Sequence, residues 1–131
     1  TQETYCETRR VKPKVWDKLL SNIEHILKNR TTGIPKINLK NVINSENIHE
    51  VSHMIDLGVT LKVDIVSLRF FQEDGVYKSD SKIISEEQQL QFNKILNEKI
   101  SEYGYEEYKD DTAFKYNYKS PNVKTLLVGD V

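Results

Sequence analysis

Apolar residues recur at three- and four-residue intervals over residues 15–27: Val15, Trp16, Leu19, Leu20, Ile23, Ile26 and Leu27. That spacing gathers them on one side of a 3.6-residue turn and predicts an amphipathic helix, with Gly33 soon after it as a stop. The period then changes to two. Over residues 34–42, Ile37 and Leu39 alternate with Lys36, Asn38 and Lys40, so a strand has one apolar and one polar face, with Pro35 at its start where a missing donor is tolerated. Asn44 and Ser45 turn the chain. Ser45 is placed to cap a helix over residues 45–57, and Gly58 to close it. Residues 63–71 form a second strand, with Asp64, Val66, Leu68 and Phe70 on one face and Val63, Ile65, Ser67, Arg69 and Phe71 on the other. The polar stretch 72–82 is longer than a typical connection, and long loops at strand ends often carry function. Ser85-Glu86-Glu87-Gln88 is a capping box that introduces Leu90, Phe92, Ile95, Leu96, Ile100 and Tyr103 at helical spacing, with Gly104 at the exit. Strand patterns follow at 112–118 and 124–128.

The order helix, strand, helix, strand, helix, strand argues for the α/β class: a parallel sheet with crossover helices, either an open layer or an arc of a partial (β/α) barrel. In both, ligands gather at the carboxyl ends of the strands, here 41–44 and 69–74. A chain of 131 residues has room for one domain. Residues 1–13 read as a flexible lead-in, 14–118 as βα units and 119–131 as a final strand.

Charge adds little to this picture. The 19 Lys+Arg nearly balance the 20 Asp+Glu, giving a net of −1, so no overall attraction to nucleic acid or membrane follows. Neither a hydrophobic signal core nor an apolar run of membrane-spanning length is present, and a cytoplasmic setting is the expectation. The single cysteine, Cys6, excludes an internal disulfide and cannot alone hold zinc or an iron–sulfur cluster. The chain begins at Thr1 without a methionine, and an excised piece of a longer protein is the expected reading; its cut sheet edges and apolar surface would favour self-association. The tyrosines from Tyr103 to Tyr118 stand among Glu106, Glu107, Asp110 and Asp111, which fits a half-buried strand and loop better than base stacking.

Three features carry candidate chemistry. His49-Glu50-Val51-Ser52-His53 matches H-E-x-x-H, in which two histidines one turn apart hold zinc and the glutamate activates water. On a helix, however, Ile48, Val51, Met54 and Ile55 cluster opposite His49 and His53, so the histidines should face solvent. Lys36 and Asn38, with Lys40 after them, lie on a polar strand face. If that face lines a cavity, a lysine there is a natural partner for carboxylate or phosphate. Arg69, late in an apolar strand, needs either a ligand or an ion pair with Asp64 or a loop acid.

The stretch from Trp16 to Glu73 resembles the distal half of the catalytic barrel of the radical S-adenosylmethionine superfamily, of the molybdenum-cofactor GTP cyclase and peptide-modifying type. The similarity is carried by Lys18-Leu19-Leu20-Ser21-Asn22-Ile23, Pro35-Lys36-Ile37-Asn38 and Asn44-Ser45-Glu46-Asn47-Ile48. It continues through Met54-Ile55-Asp56-Leu57-Gly58-Val59 and Leu68-Arg69-Phe70-Phe71. The resemblance implies a parent enzyme that cleaves S-adenosylmethionine at a 4Fe-4S cluster and uses the adenosyl radical on a substrate. It implies substrate contacts at Lys36, Asn38 and Arg69, cofactor contacts at Phe71, Gln72 and Glu73, and the remainder of the barrel as partner. The superfamily's C-x-x-x-C-x-x-C motif is absent, so this chain alone is expected to be inert. A non-catalytic α/β binding or interaction domain is the alternative, and an H-E-x-x-H zinc hydrolase the third reading.

Overall fold

Two helices precede the first strand in a computed structural model that describes residues 1–10, 12–72, 82–110 and 114–130, with backbone only at 8 and 9. The first, α1 (Gln2–Arg9), replaces the flexible lead-in; its sequence is too polar for an apolar period, but the Thr1 hydroxyl caps it by accepting from the Thr4 N–H. The second, α2 (Pro13–Asn29), begins with a proline where the missing N–H costs nothing and buries Ile23, with Leu20 and Leu27 packed against the core. Gly33 and Thr32 then turn in the left-handed region, and the Ile34–Pro35 peptide bond is cis. Strand β1 (Asn38–Ile43) starts later than the alternation suggests, and Ile34 is left 69% exposed.

The turn into the next helix is built on asparagines, and the helix caps fall on Asn47 and Glu50 and not on Ser45. The Asn44 N–H donates to Asn47 Oδ1 at 2.9 Å, the Asn47 N–H donates back to Asn44 Oδ1 at 3.2 Å, and Asn47 Nδ2 donates to the Val42 carbonyl at 2.8 Å. A single 3-10 turn, Ile48–Glu50, leads into α3 (Val51–Leu61). Gly58 does not end this helix. It lies inside it because β2 (Ile65–Phe70) crosses so closely that a Cβ there would overlap Val66 Cγ2; the left-handed exit falls on Lys62. α4 (Glu86–Tyr103) has the reciprocal capping box and Gly104 at its exit, as its sequence predicts.

The sheet runs β1-β2-β5-β4-β3, with β3 (Glu106–Glu107), β4 (Tyr116–Lys119) and β5 (Thr125–Asp130) after α4. The α/β class holds, and β1, β2 and β5 are mutually parallel. The parallel arc is interrupted there. β4 pairs antiparallel with β5, since residues 120–124 are too short a link for a crossover, and β3 pairs antiparallel with β4. Where a barrel would place its next parallel strand, this sheet carries a hairpin.

Register puts Leu39, Ile43, Val66, Leu68, Phe70, Leu126 and Val128 on one face, and α3 and α4 cover it, with Phe70 edge-on to Phe92 at 4.7 Å. On the other face lie Asn38, Lys40, Val42, Ile65, Ser67, Arg69, Thr125 and Leu127. Side-chain ion pairs fasten the layers. Lys99 Nζ (2.7 Å) and the Tyr103 hydroxyl (2.5 Å) on α4 both donate to Asp56 Oδ1 on α3, while Arg30 after α2 grips Asp64 at 2.5 and 3.1 Å. Among the described residues no helix is long and apolar enough to cross a membrane.

Candidate functional site

At the carboxyl end of β1 a groove of about 680 Å³ opens between the strand, α3 and the amino-terminal helices. Its outer wall is aromatic: Tyr5 of α1 and Trp16 of α2 pack with ring centroids 5.2 Å apart. Met54 and Leu57 supply an aliphatic wall, and Lys40, Asn44 and His53 bring polar groups to the lining. The sequence reading placed a ligand-bearing edge at 41–44 by strand polarity, and Asn41, Val42 and Asn44 do line this groove. Trp16 and Tyr5 were missed as wall residues, since Trp16 carries only a helix-core signal and α1 has no apolar period.

Glu50 is 4% exposed, which is costly for a carboxylate. Its Oε1 accepts from the Thr4 hydroxyl at 2.9 Å and from the Thr1 ammonium at 3.2 Å. Burial pushes its pKa up, but the Thr1 and Thr4 bonds and the ammonium charge outweigh burial and hold it below the ordinary carboxylate value. Asp56 behaves alike: burial opposes its charge, and Lys99 and Tyr103 more than restore it. The same contact lifts Lys99 and pushes the Tyr103 phenol up to about 12.

His49 and His53 are both exposed, and the motif that contains them is split between the 3-10 turn and α3 rather than carried on one helix. Glu50, which would have to activate water, is occupied by Thr1 and Thr4. Among the described residues no three His, Cys, Asp or Glu side chains group to hold a metal.

A second cavity, of about 570 Å³, lies at the opposite end of the parallel strands. Lys36, Lys119 and Lys124 line it together with Asp64, Tyr108, Asp110 and Thr125. Asp64 accepts from Arg30 and from the Ile37 N–H at 2.8 Å, with Lys124 Nζ 3.9 Å away. Burial works against this carboxylate, yet those partners hold its pKa below the ordinary value.

The residues singled out in the sequence divide between sites. Lys36 lines the second cavity, and Asn38 beside it accepts from the Ser67 hydroxyl at 2.8 Å. Arg69 does not pair with Asp64. Its guanidinium lies 4.5 Å over the Phe114 ring, and its buried Nε has no hydrogen-bond partner among the described residues. Phe71 is half-buried just beyond β2, its N–H donating to the Ile43 carbonyl at 2.8 Å, and Gln72 is exposed. Glu73 lies outside the described residues. Lys36 and Asn38 thus stand at one end of the sheet and Phe71 and Gln72 at the other, with Asn38 and Phe71 about 20 Å apart at the rise of a strand. A 4Fe-4S cluster does not fit the donors present, because Cys6 is the only thiol. No family model matches the chain, and no curated protein is similar enough to match it.

Proposed function

We propose that this chain is a binding domain that holds a small organic ligand with an apolar body and one anionic or acceptor group in the groove beside β1. The observation that carries this reading is the composition of the groove. An aromatic and aliphatic lining of ligand size faces a lysine, Lys40, that makes no ion pair within the described residues, which is the usual constitution of a small-molecule site. The parallel strands also favour this end of the sheet. Catalysis is not part of the proposal, because Glu50 and Asp56 are both committed to local partners.

Titration with aromatic carboxylates such as indole-3-acetate, followed by tryptophan fluorescence, tests it, since Trp16 is the single tryptophan. A saturable change that weakens about tenfold in Lys40→Ala, with an unaltered circular dichroism spectrum, is expected. A folded protein with no saturable response across such a set would overturn the assignment.

The radical S-adenosylmethionine reading is a second proposal, about a parent protein rather than this chain. The unit β1–α3–β2, two adjacent parallel strands linked by a helix, supports it. The roughly 20 Å that six residue rises put between Asn38 and Phe71 weighs against one shared reaction centre. Sequencing the gene upstream of the codon for Thr1 decides it: a C-x-x-x-C-x-x-C loop after a strand pattern sustains the proposal, and a start codon there ends it.

A further inference from the structure

We infer that the cavity at the amino ends of β2 and β5 is a second binding site, for a phosphate dianion either free or as a monoester. Three lysines reach it from separate segments: Lys36 ahead of β1, Lys119 at the end of β4 and Lys124 ahead of β5. Crowding ammonium groups around one space raises their mutual repulsion, and an anion there relieves it. The acids already present do not. Asp64 is engaged by Arg30 and the Ile37 N–H, and Lys124 approaches it only to 3.9 Å. Asp110 takes the Tyr108 hydroxyl at 3.3 Å and is the one lining acid without a cation on it among the described residues. With Lys124 sharing Asp64 with Arg30, the lining still holds Lys36 and Lys119 against one carboxylate, Asp110, that has no cation on it among the described residues, which also argues against a metal cation.

The kind of cation selects the anion. A planar carboxylate is best met by the fork of an arginine, whereas lysines act as point charges that approach from several directions and suit a doubly charged tetrahedral group. The Thr125 side chain lies in the same lining beside the Tyr108 hydroxyl, which is held by Asp110. The site is independent of the β1 groove, and neither assignment rests on the other.

Amide shifts in a titration of the full chain with sodium phosphate, with chloride adjusted to fixed ionic strength, provide the test; parallel arms use glycerol 3-phosphate and acetate. Saturable shifts at Lys36, Lys119, Lys124 and Thr125 are expected with both phosphates, the tighter one identifying the source, and acetate should bind at least about tenfold more weakly. The double variant Lys36→Gln/Lys124→Gln should weaken phosphate binding about 10- to 100-fold, while its melting temperature and Trp16 fluorescence stay unchanged. Equal response to acetate, absence of saturation, or shifts that persist in the double variant would each overturn the inference.

Discussion

The two faces of the sheet meet different fates from similar strand sequences. On one, Leu68, Leu126 and Val128 lie at no more than 1% exposure beneath α3 and α4. On the other, Val42 is 46% exposed two residues from Lys40, Ser67 bonds to Asn38, and the Arg69 guanidinium lies over the Phe114 ring. The first face is filled by apolar side chains, whereas the second mixes the buried Ser67 and Leu127 with polar and charged groups and opens to solvent along β1, where Lys40 and Val42 are exposed. Stability and binding should therefore separate by face.

The covered face should give the largest loss. Phe92→Ala removes a ring at 1% exposure that packs on Phe70, and chemical denaturation should register about 3–5 kcal/mol. Next is Gly58→Ala, which forces Val66 or the helix to move and should cost about 1–3 kcal/mol in the same assay, provided Val66 is unchanged; Gly58→Ala with Val66→Ala should recover part of it. On the more polar face the effects shrink. Ser67→Ala loses one hydrogen bond to Asn38, worth about 0.5–1.5 kcal/mol. Arg69→Met should fall within about 0.5 kcal/mol of the parent, since it removes a buried Nε that has no hydrogen-bond partner among the described residues along with the ring contact. A loss at Arg69 as large as that at Phe92 would erase the distinction between the faces.

Acidity offers a finer cut. Glu50, Asp56 and Asp64 are all held below their ordinary values, so their contribution is intact above about pH 4 and is lost as pH falls through the lower folded-state values. At the alkaline end, Tyr103 is raised to about 12 and Lys99 is raised too, so their contribution is present below about pH 10 and fades above it. Melting temperatures across pH should show both shoulders, and Asp56→Asn should flatten each of them.

Elements with their own periodic signal were readable from the chain. The helix of Trp16 and Ile23, the alternation about Leu39, the run from Val66 to Phe70 and the capping box at Ser85 all stand where the pattern puts them. Features decided by distant partners were not. Gly58 looks like a helix stop until Val66 is seen against it, and Tyr116 to Lys119 looks like another parallel strand until the short link to β5 reverses it. The cavities were legible only in part: Asn41 and Asn44 could be placed by strand polarity, and Lys36 by its face. Lys119 and Lys124, more than 80 positions beyond Lys36, gave no local sign of converging on it.

The position of β5 has a consequence for synthesis. Although it follows every other element in the chain, it sits in the middle of the sheet, bonded to β2 on one side and β4 on the other. A ribosome therefore releases both flanks of the sheet before the strand that joins them. During that interval β2 presents a bare edge, and the burial of Leu68 waits on Val128, its partner from sixty residues downstream.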